Sequence, residues 1–348
     1  MRGYLDTPSM GLPAQATVDA MKAALDDWGA GRGHFSVWER SMESCRELFA
    51  RIIGVTAGDV GLLPSVVPAV SAAAATIARG TGTVVAHRKE FRSLLLPVLA
   101  NVEDHRMRWV DGAYVADTFA PAVDDDTDAV VVSAVSSHDG GRPSLTRLLE
   151  VCTAVDARLV VDGTQAAGIV VPDVPVTSLS LFACAGYKGL RGPRGVAYAV
   201  AHDDVVAGFG APSGYSVTDG AERGSYGPPL LAKPGAQGLD QSPAWLAWVG
   251  AEPALGALAA EPAPDRERRV VALTGRLRHR LEDLGLPAQP TDLPSPVVTF
   301  APGDTDATLG RLADAGIRAT AKLGRVRVGF HVYNDEEDVD RVCTVLGQ

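Results

Sequence analysis

The chain has 348 residues, 46% of them hydrophobic and 21% charged, a globular composition that excludes a disordered or collagen-like chain. Thirty-two Lys and Arg against 42 Asp and Glu leave a formal net charge of −10, the wrong sign for a surface that binds nucleic acid or anionic lipid. The longest apolar stretches, such as 66–78, fall short of the roughly 20 residues that cross a bilayer, so no membrane span is expected. The four cysteines, Cys45, Cys152, Cys184 and Cys343, lie far apart. They show neither metal-ligand spacing nor a disulfide framework. With no basic-then-apolar targeting segment at the N-terminus, a soluble cytoplasmic enzyme is expected.

Along the chain, residues 59–165 alternate short strand-like runs with helical ones. Val84 and Val85 follow a glycine turn, 129–135 is a β-branched run, and Leu145, Leu148, Leu149 and Cys152 recur at helical spacing. RLVVD at 158–162 reads as a strand buried on both faces. Strands of this kind separated by helices predict an α/β domain with a large mixed or parallel sheet covered on both sides. The pattern changes after Ala197. Residues 203–243 are irregular and rich in Gly, Pro and Ser, and so long a loop is usually functional. Beyond it, 247–260 and 266–284 read as helices, 297–300 and 325–330 as strands, and 336–346 as a closing amphipathic helix. Asn334 is its expected N-cap, with Glu337 as capping-box partner. The expected division is a large domain over 12–245 and a small α+β domain made of 1–11 and 246–348.

The most informative stretch is VVDGTQAAG at 160–168 followed by AGYKGLRGPRG at 185–195. Asp162 ends a buried strand, where ligands bind in open α/β sheets, and Gln165 follows in the turn. Lys188 lies 26 residues downstream in a small-residue loop between two apolar runs. A carboxylate, a glutamine and a semi-buried lysine suit pyridoxal 5'-phosphate. The lysine forms the Schiff base, the carboxylate keeps the pyridine nitrogen protonated, and the glutamine donates to the phenolic oxygen. Nucleotide-binding glycine motifs, the nucleophile elbow and HExxH are absent from the sequence.

These two motifs and their separation resemble the class V aminotransferase (cysteine desulfurase-like) family of fold-type I pyridoxal phosphate enzymes, over nearly the whole chain. The resemblance implies a large mixed-sheet α/β domain, a small C-terminal domain, and a site at a homodimer interface. It places the backbone N–H groups of Val66 and Val67 at the cofactor phosphate, on a helix start, although relatives often carry hydroxyl residues there. Phe91, in HRKEFRSLLLP, takes the ring-stacking position that is histidine in many relatives. Ser137 stands where an asparagine is common, and His138 beside it reads as structural. Tyr187 is the implied phosphate ligand, and Ser242 aligns with the family's Thr-Pro in a loop that reaches the partner's cofactor. Trp245 and Trp248, just behind, are expected either at or near that interface or in core packing of their own helix. Arg327, in GRVRVGFHVYN, is the implied clamp for a substrate α-carboxylate, with His331 bordering the site and Arg325 sharing the strand face.

Within such a family, a desulfurase needs a nucleophilic thiol on a small-domain loop, and 301–326 contain no cysteine. The expectation is therefore cleavage of a C–S bond by β-elimination, or related processing, of a cysteine S-conjugate, since GYLDTPSMGLP and RVGFHVYN look like small bacterial C–S lyase-type members. The alternatives are transamination of a small amino acid, decarboxylation, oxidative deamination or epimerisation at the same carbanion, and a non-catalytic scaffold. No metal is expected.

Overall fold

The computed structural model describes residues 2–218, 227, 228 and 230–348. Seven strands form the large sheet: β1 (Gly61–Leu63), β2 (Thr83–His87), β3 (Met107–Val110), β4 (Thr127–Ser133), β5 (Arg158–Asp162), β6 (Leu181–Ala185) and β7 (Ala197–Ala201). Their order is β1-β7-β6-β5-β4-β2-β3. β3, β2, β4, β5 and β6 run parallel, while β7 is antiparallel to both β6 and β1. The sheet is buried on both faces because the middle residues of its central strands are apolar on both sides. Val85, Val130, Val132, Val161 and Phe182 enter one core, and the alternate residues Val84, Val131, Val160 and Ala183 enter the other.

A second, antiparallel sheet has the order β8 (Val297–Phe300), β10 (Arg325–Gly329), β9 (Thr320–Lys322). Helices Ala263–Asp283 and Glu336–Leu346 pack together, the first also against β8. The N-terminal segment joins this unit through bridges from Tyr4 to Arg318 and from Asp6 to Gly329. Helix Trp245–Ala259 instead lies on helices Gln15–Gly29 and Phe35–Ile53. Trp248 is buried there, edge-on to Tyr198 at 5.6 Å, so it is core within its own chain and not an interface residue.

The closing helix begins where the sequence places it, but its cap differs. Asp335 is the N-cap and Asp338 its capping-box partner. Asn334 is drawn into tying the N-terminal segment down: its Nδ2 donates to the Tyr4 carbonyl (3.0 Å) and its Oδ1 accepts from His331 N–H (2.9 Å). Within 203–243 the structure holds a short helix (Asp203–Val206), a Val217–Ala232 bridge and a 3-10 turn (Gly235–Leu239), while 219–226 and 229 lie outside the described residues. The far end is anchored by buried Asp240, which pairs with Arg46 (2.8 Å) and accepts from Leu62 N–H (2.8 Å). Among the described residues no helix is long and apolar enough to cross a membrane.

Candidate active site

Asp162 ends β5 at the edge where the parallel strands finish, level with Ser133 of β4. Its Oδ1 accepts from Thr164 N–H (2.8 Å), and the Thr164 hydroxyl accepts from Ala185 N–H (3.1 Å), pinning the turn to the end of β6. Burial pushes the Asp162 carboxyl up; the Thr164 hydrogen bonds and the charge of Lys188 pull the other way. Lys188 follows β6 and is 5% exposed. Its Nζ sits over the Phe91 ring at 5.2 Å and the Tyr187 ring at 5.8 Å. Burial lowers its pKa to about 8. Asp162 opposes that shift, while Arg327, Lys322 and Arg194 add to it.

The lysine loop is held from several sides. Gly11 N–H donates to the Tyr187 carbonyl (2.9 Å), and a Cβ at Gly11 would overlap the Lys188 carbonyl. Arg191 adopts the left-handed backbone region at φ 59°, an unfavourable place for a residue with a side chain. It is kept there by a bond from its Nε to the Leu12 carbonyl (2.8 Å) and by stacking of its guanidinium on Tyr333.

Phe91, Ser137, Asp162, Gln165 and Lys188 line one cleft. Ser133, Val135 and Thr164 complete its wall, and nothing in their spacing marks them. Gln165 also reaches out of the cleft, its Nε2 donating to the Pro8 carbonyl (3.0 Å). Glu90, also missed, is buried beside Phe91. It accepts from Phe91 N–H (2.6 Å), the Ser133 hydroxyl (2.7 Å) and the Tyr114 hydroxyl, and burial raises its pKa. The only signal for it was its place directly before the stacking position.

Val66 is the N-cap of helix Val67–Ile77, Pro68 sits in the first turn, and no side chain caps the free N–H groups. Val66 and Tyr187 pack on the same apolar cluster, and Arg194 lies over the Tyr187 ring at 5.4 Å. Arg327, 3% exposed, donates to the Ser137 carbonyl (2.7 Å), the Ser9 hydroxyl (2.9 Å) and the Thr320 hydroxyl (3.1 Å), with Asp6 at 3.9 Å. Its buried Nε has no hydrogen-bond partner. Arg325 on the same strand turns to Gln289, whose amide oxygen, suitably oriented, accepts from both its terminal nitrogens (2.7 and 3.1 Å).

His331 does not border the cleft. It is fully buried, its Nε2 facing the Gly189 carbonyl (2.7 Å) and its Nδ1 accepting from Val332 N–H (2.8 Å). Burial lowers its pKa to about 3, so it supports the lysine loop as a neutral ring. Ser242 is exposed and away from the cleft in the single chain, and Trp245 joins a partly exposed aromatic group with Phe35 (6.2 Å) and Trp38 (5.7 Å). All four cysteines are buried, and burial raises each thiol's pKa, that of Cys152 to about 12. None is a ready thiolate. Among the described residues no cluster could hold a metal ion.

The donor set fits pyridoxal phosphate. A buried carboxylate near the Lys188 charge can hold a protonated ring nitrogen, an amine of lowered pKa is ready to meet an aldehyde, and an aromatic face lies beside it. The uncapped helix start with Tyr187 and Arg194 nearby suits a phosphate.

Residues 3–216, more than half of the chain, match the family Aminotransferase class-V. The chain belongs to that family, whose enzymes use pyridoxal phosphate. The fold is shared with an apo cysteine desulfurase from Thermococcus onnurineus NA1 (21% identity, TM-score 0.80, covering 99% of this chain and 94% of that one). It is shared equally with the cystine C–S lyase C-DES in complex with its reaction product cysteine persulfide (20% identity, TM-score 0.82, 99% and 97%). A lysine-to-alanine variant of C-DES with glycine covalently linked to its cofactor matches at 19% identity and TM-score 0.82, covering 99% and 96%. No curated sequence matches the chain.

Proposed function

We propose that the protein cleaves the C–S bond of a cysteine S-conjugate by β-elimination, with water converting the conjugate to pyruvate, ammonia and a thiol. The observation that carries the reading is Lys188: a buried amine with a pKa of about 8, stacked on Phe91 and within the field of Asp162. Pyridoxal phosphate, when bound, supplies the ring that accepts the electron pair left on the substrate's Cα. Lys188 Nζ takes the Cα proton and returns it to the departing sulfur in this reading, because an amine near neutrality both accepts and releases a proton at pH 7–8. Asp162 holds positive charge on the ring nitrogen, Phe91 fixes the ring plane, and the Val66 and Val67 N–H groups with Tyr187 hold the phosphate. Arg327 orients the α-carboxylate, for which the Ser9 hydroxyl must give way.

Cleavage without an enzyme thiol is favoured over desulfuration because every cysteine is buried and protonated. The active unit is a C₂ homodimer. Trp28 (62% exposed), Phe35 (51%) and Leu230 (69%) leave apolar surface that a second copy would cover, and Ser242 would reach the partner's phosphate site. Product analysis tests the reaction. Pyruvate, ammonia and thiol in equal amounts from a cysteine S-conjugate support it, whereas a new amino acid formed from a supplied 2-oxo acid would make the protein an aminotransferase.

A further inference from the structure

The β9–β10 hairpin carries its charge on one side. Lys322 lies directly opposite Arg325 and Thr320 directly opposite Arg327. Opposed residues, and alternate residues on one strand, share a face of the sheet, so these four side chains stand together. Between them Val326 and Val328 are fully buried on the other face. The charged face meets the loop that follows β4, where Arg327 donates to the Ser137 carbonyl (2.7 Å). It is close enough to the cleft that Lys322 and Arg327 both lower the pKa of Lys188, and Arg325 and Lys89 both lower that of His138.

Of this face, Arg327 and Thr320 meet a carboxylate, Asp6, whose Oδ1 accepts from the Thr320 hydroxyl (3.2 Å); Lys322 and Arg325 do not. Asp6 faces Arg327 and Arg318, at 3.9 and 3.8 Å. Asp139 lies under His138 at 3.9 Å. Among the described residues no carboxylate lies within 4 Å of Lys322 or Arg325, and the Arg325 partner is the neutral Gln289 amide. Two buried nitrogens, Arg327 Nε and His138 Nδ1, have no hydrogen-bond partner. A chain of net charge −10 has thus placed two cations without a carboxylate partner among the described residues, Lys322 and Arg325, beside its cleft, which raises the local concentration of an anionic ligand.

We propose that the substrate carries a second carboxylate, on its side chain, held by Arg325 and Lys322 while Arg327 takes the α-carboxylate. This rests on the reading of the cleft as an amino-acid site on pyridoxal phosphate. The substrate class is then a cysteine S-conjugate whose sulfur substituent ends in a carboxylate.

Spectral titration of the holoenzyme with S-(2-carboxyethyl)cysteine and with neutral S-propylcysteine tests it. A charge-assisted pair contributes about a 10- to 150-fold preference, so the carboxylated ligand binds at least about tenfold more tightly. Arg325→Gln and Lys322→Gln each erode that ratio, and Arg325→Glu brings it to unity or inverts it. Equal affinities in the wild type, or a ratio untouched by all three variants, overturns the second-carboxylate site and leaves the amino-acid reading standing. No spectral response to either ligand overturns both.

Discussion

Lys188 should weaken the cofactor-free fold, and by an amount that depends on pH. An ammonium whose pKa falls from 10.5 to about 8 on folding binds fewer protons in the native chain than in the unfolded one between those values. Stability therefore rises with pH across that window. The burden on the fold is about 3 kcal/mol at pH 7 and about 1 kcal/mol at pH 9.5. Replacing Lys188 with Met keeps most of the buried stem and removes the charge. Urea unfolding of the cofactor-free wild type and Lys188→Met, at one protein concentration and at pH 7 and 9.5, reads the difference. Groups common to both proteins cancel. The wild type should gain about 2 kcal/mol more than the variant between the two pH values, and the variant should be the more stable at pH 7. A parallel pH response in the two proteins would refute the reasoning that burial, beyond what Asp162 returns, sets the state of this amine.

Asp162→Asn should keep much of the cofactor yet lose about 10- to 150-fold in turnover, since a neutral amide no longer holds the ring's positive charge; wild-type turnover would reduce Asp162 to a turn-forming residue. Arg327→Ala should raise the Michaelis constant of an amino-acid substrate about 10- to 150-fold and affect an amine lacking the α-carboxylate far less, as steady-state kinetics on both would show. His331, neutral down to about pH 3 in the fold, costs stability as pH falls through its ordinary value of 6.5, about 2 kcal/mol at pH 5. His331→Gln should flatten the loss of stability between pH 7 and 5, and an unchanged slope in urea titrations would assign that loss elsewhere. Mixing inactive Lys188→Ala with an inactive Ser242→Trp variant should restore activity through hybrid dimers carrying one intact site, whereas no recovery on subunit exchange would place Ser242 in cis.

The large sheet was legible because its strands are apolar on both faces and short turns separate them from periodic helices. RLVVD and the helix over 145–154 fall where the pattern puts them, whereas β4 begins and ends two residues before the β-branched run assigned to it. The cleft was legible where a local motif carried it, at Asp162, Gln165 and Lys188. What stayed hidden depends on contacts between residues far apart in the chain. Ser9 and Pro8 come to Arg327 and Gln165 across more than 150 residues, and no period in the sequence announces such a meeting. Asn334 and His331 looked like a cap and a site residue because local spacing cannot show that one ties down Tyr4 and the other props Gly189. Glu90 left no mark because a lone acidic residue before an aromatic normally faces solvent, and only the Tyr114 and Ser133 partners make its burial tolerable.

The account's central claim is that Lys188 is the amine that joins the cofactor. Borohydride reduction of the purified holoenzyme followed by peptide mapping tests it directly, since the chain offers only five lysines, Lys22, Lys89, Lys188, Lys233 and Lys322. A pyridoxyl group on the peptide containing Lys188, lost in Lys188→Ala, is the predicted result. A pyridoxyl group on any other lysine, or a holoenzyme that yields no reduced adduct, would contradict it.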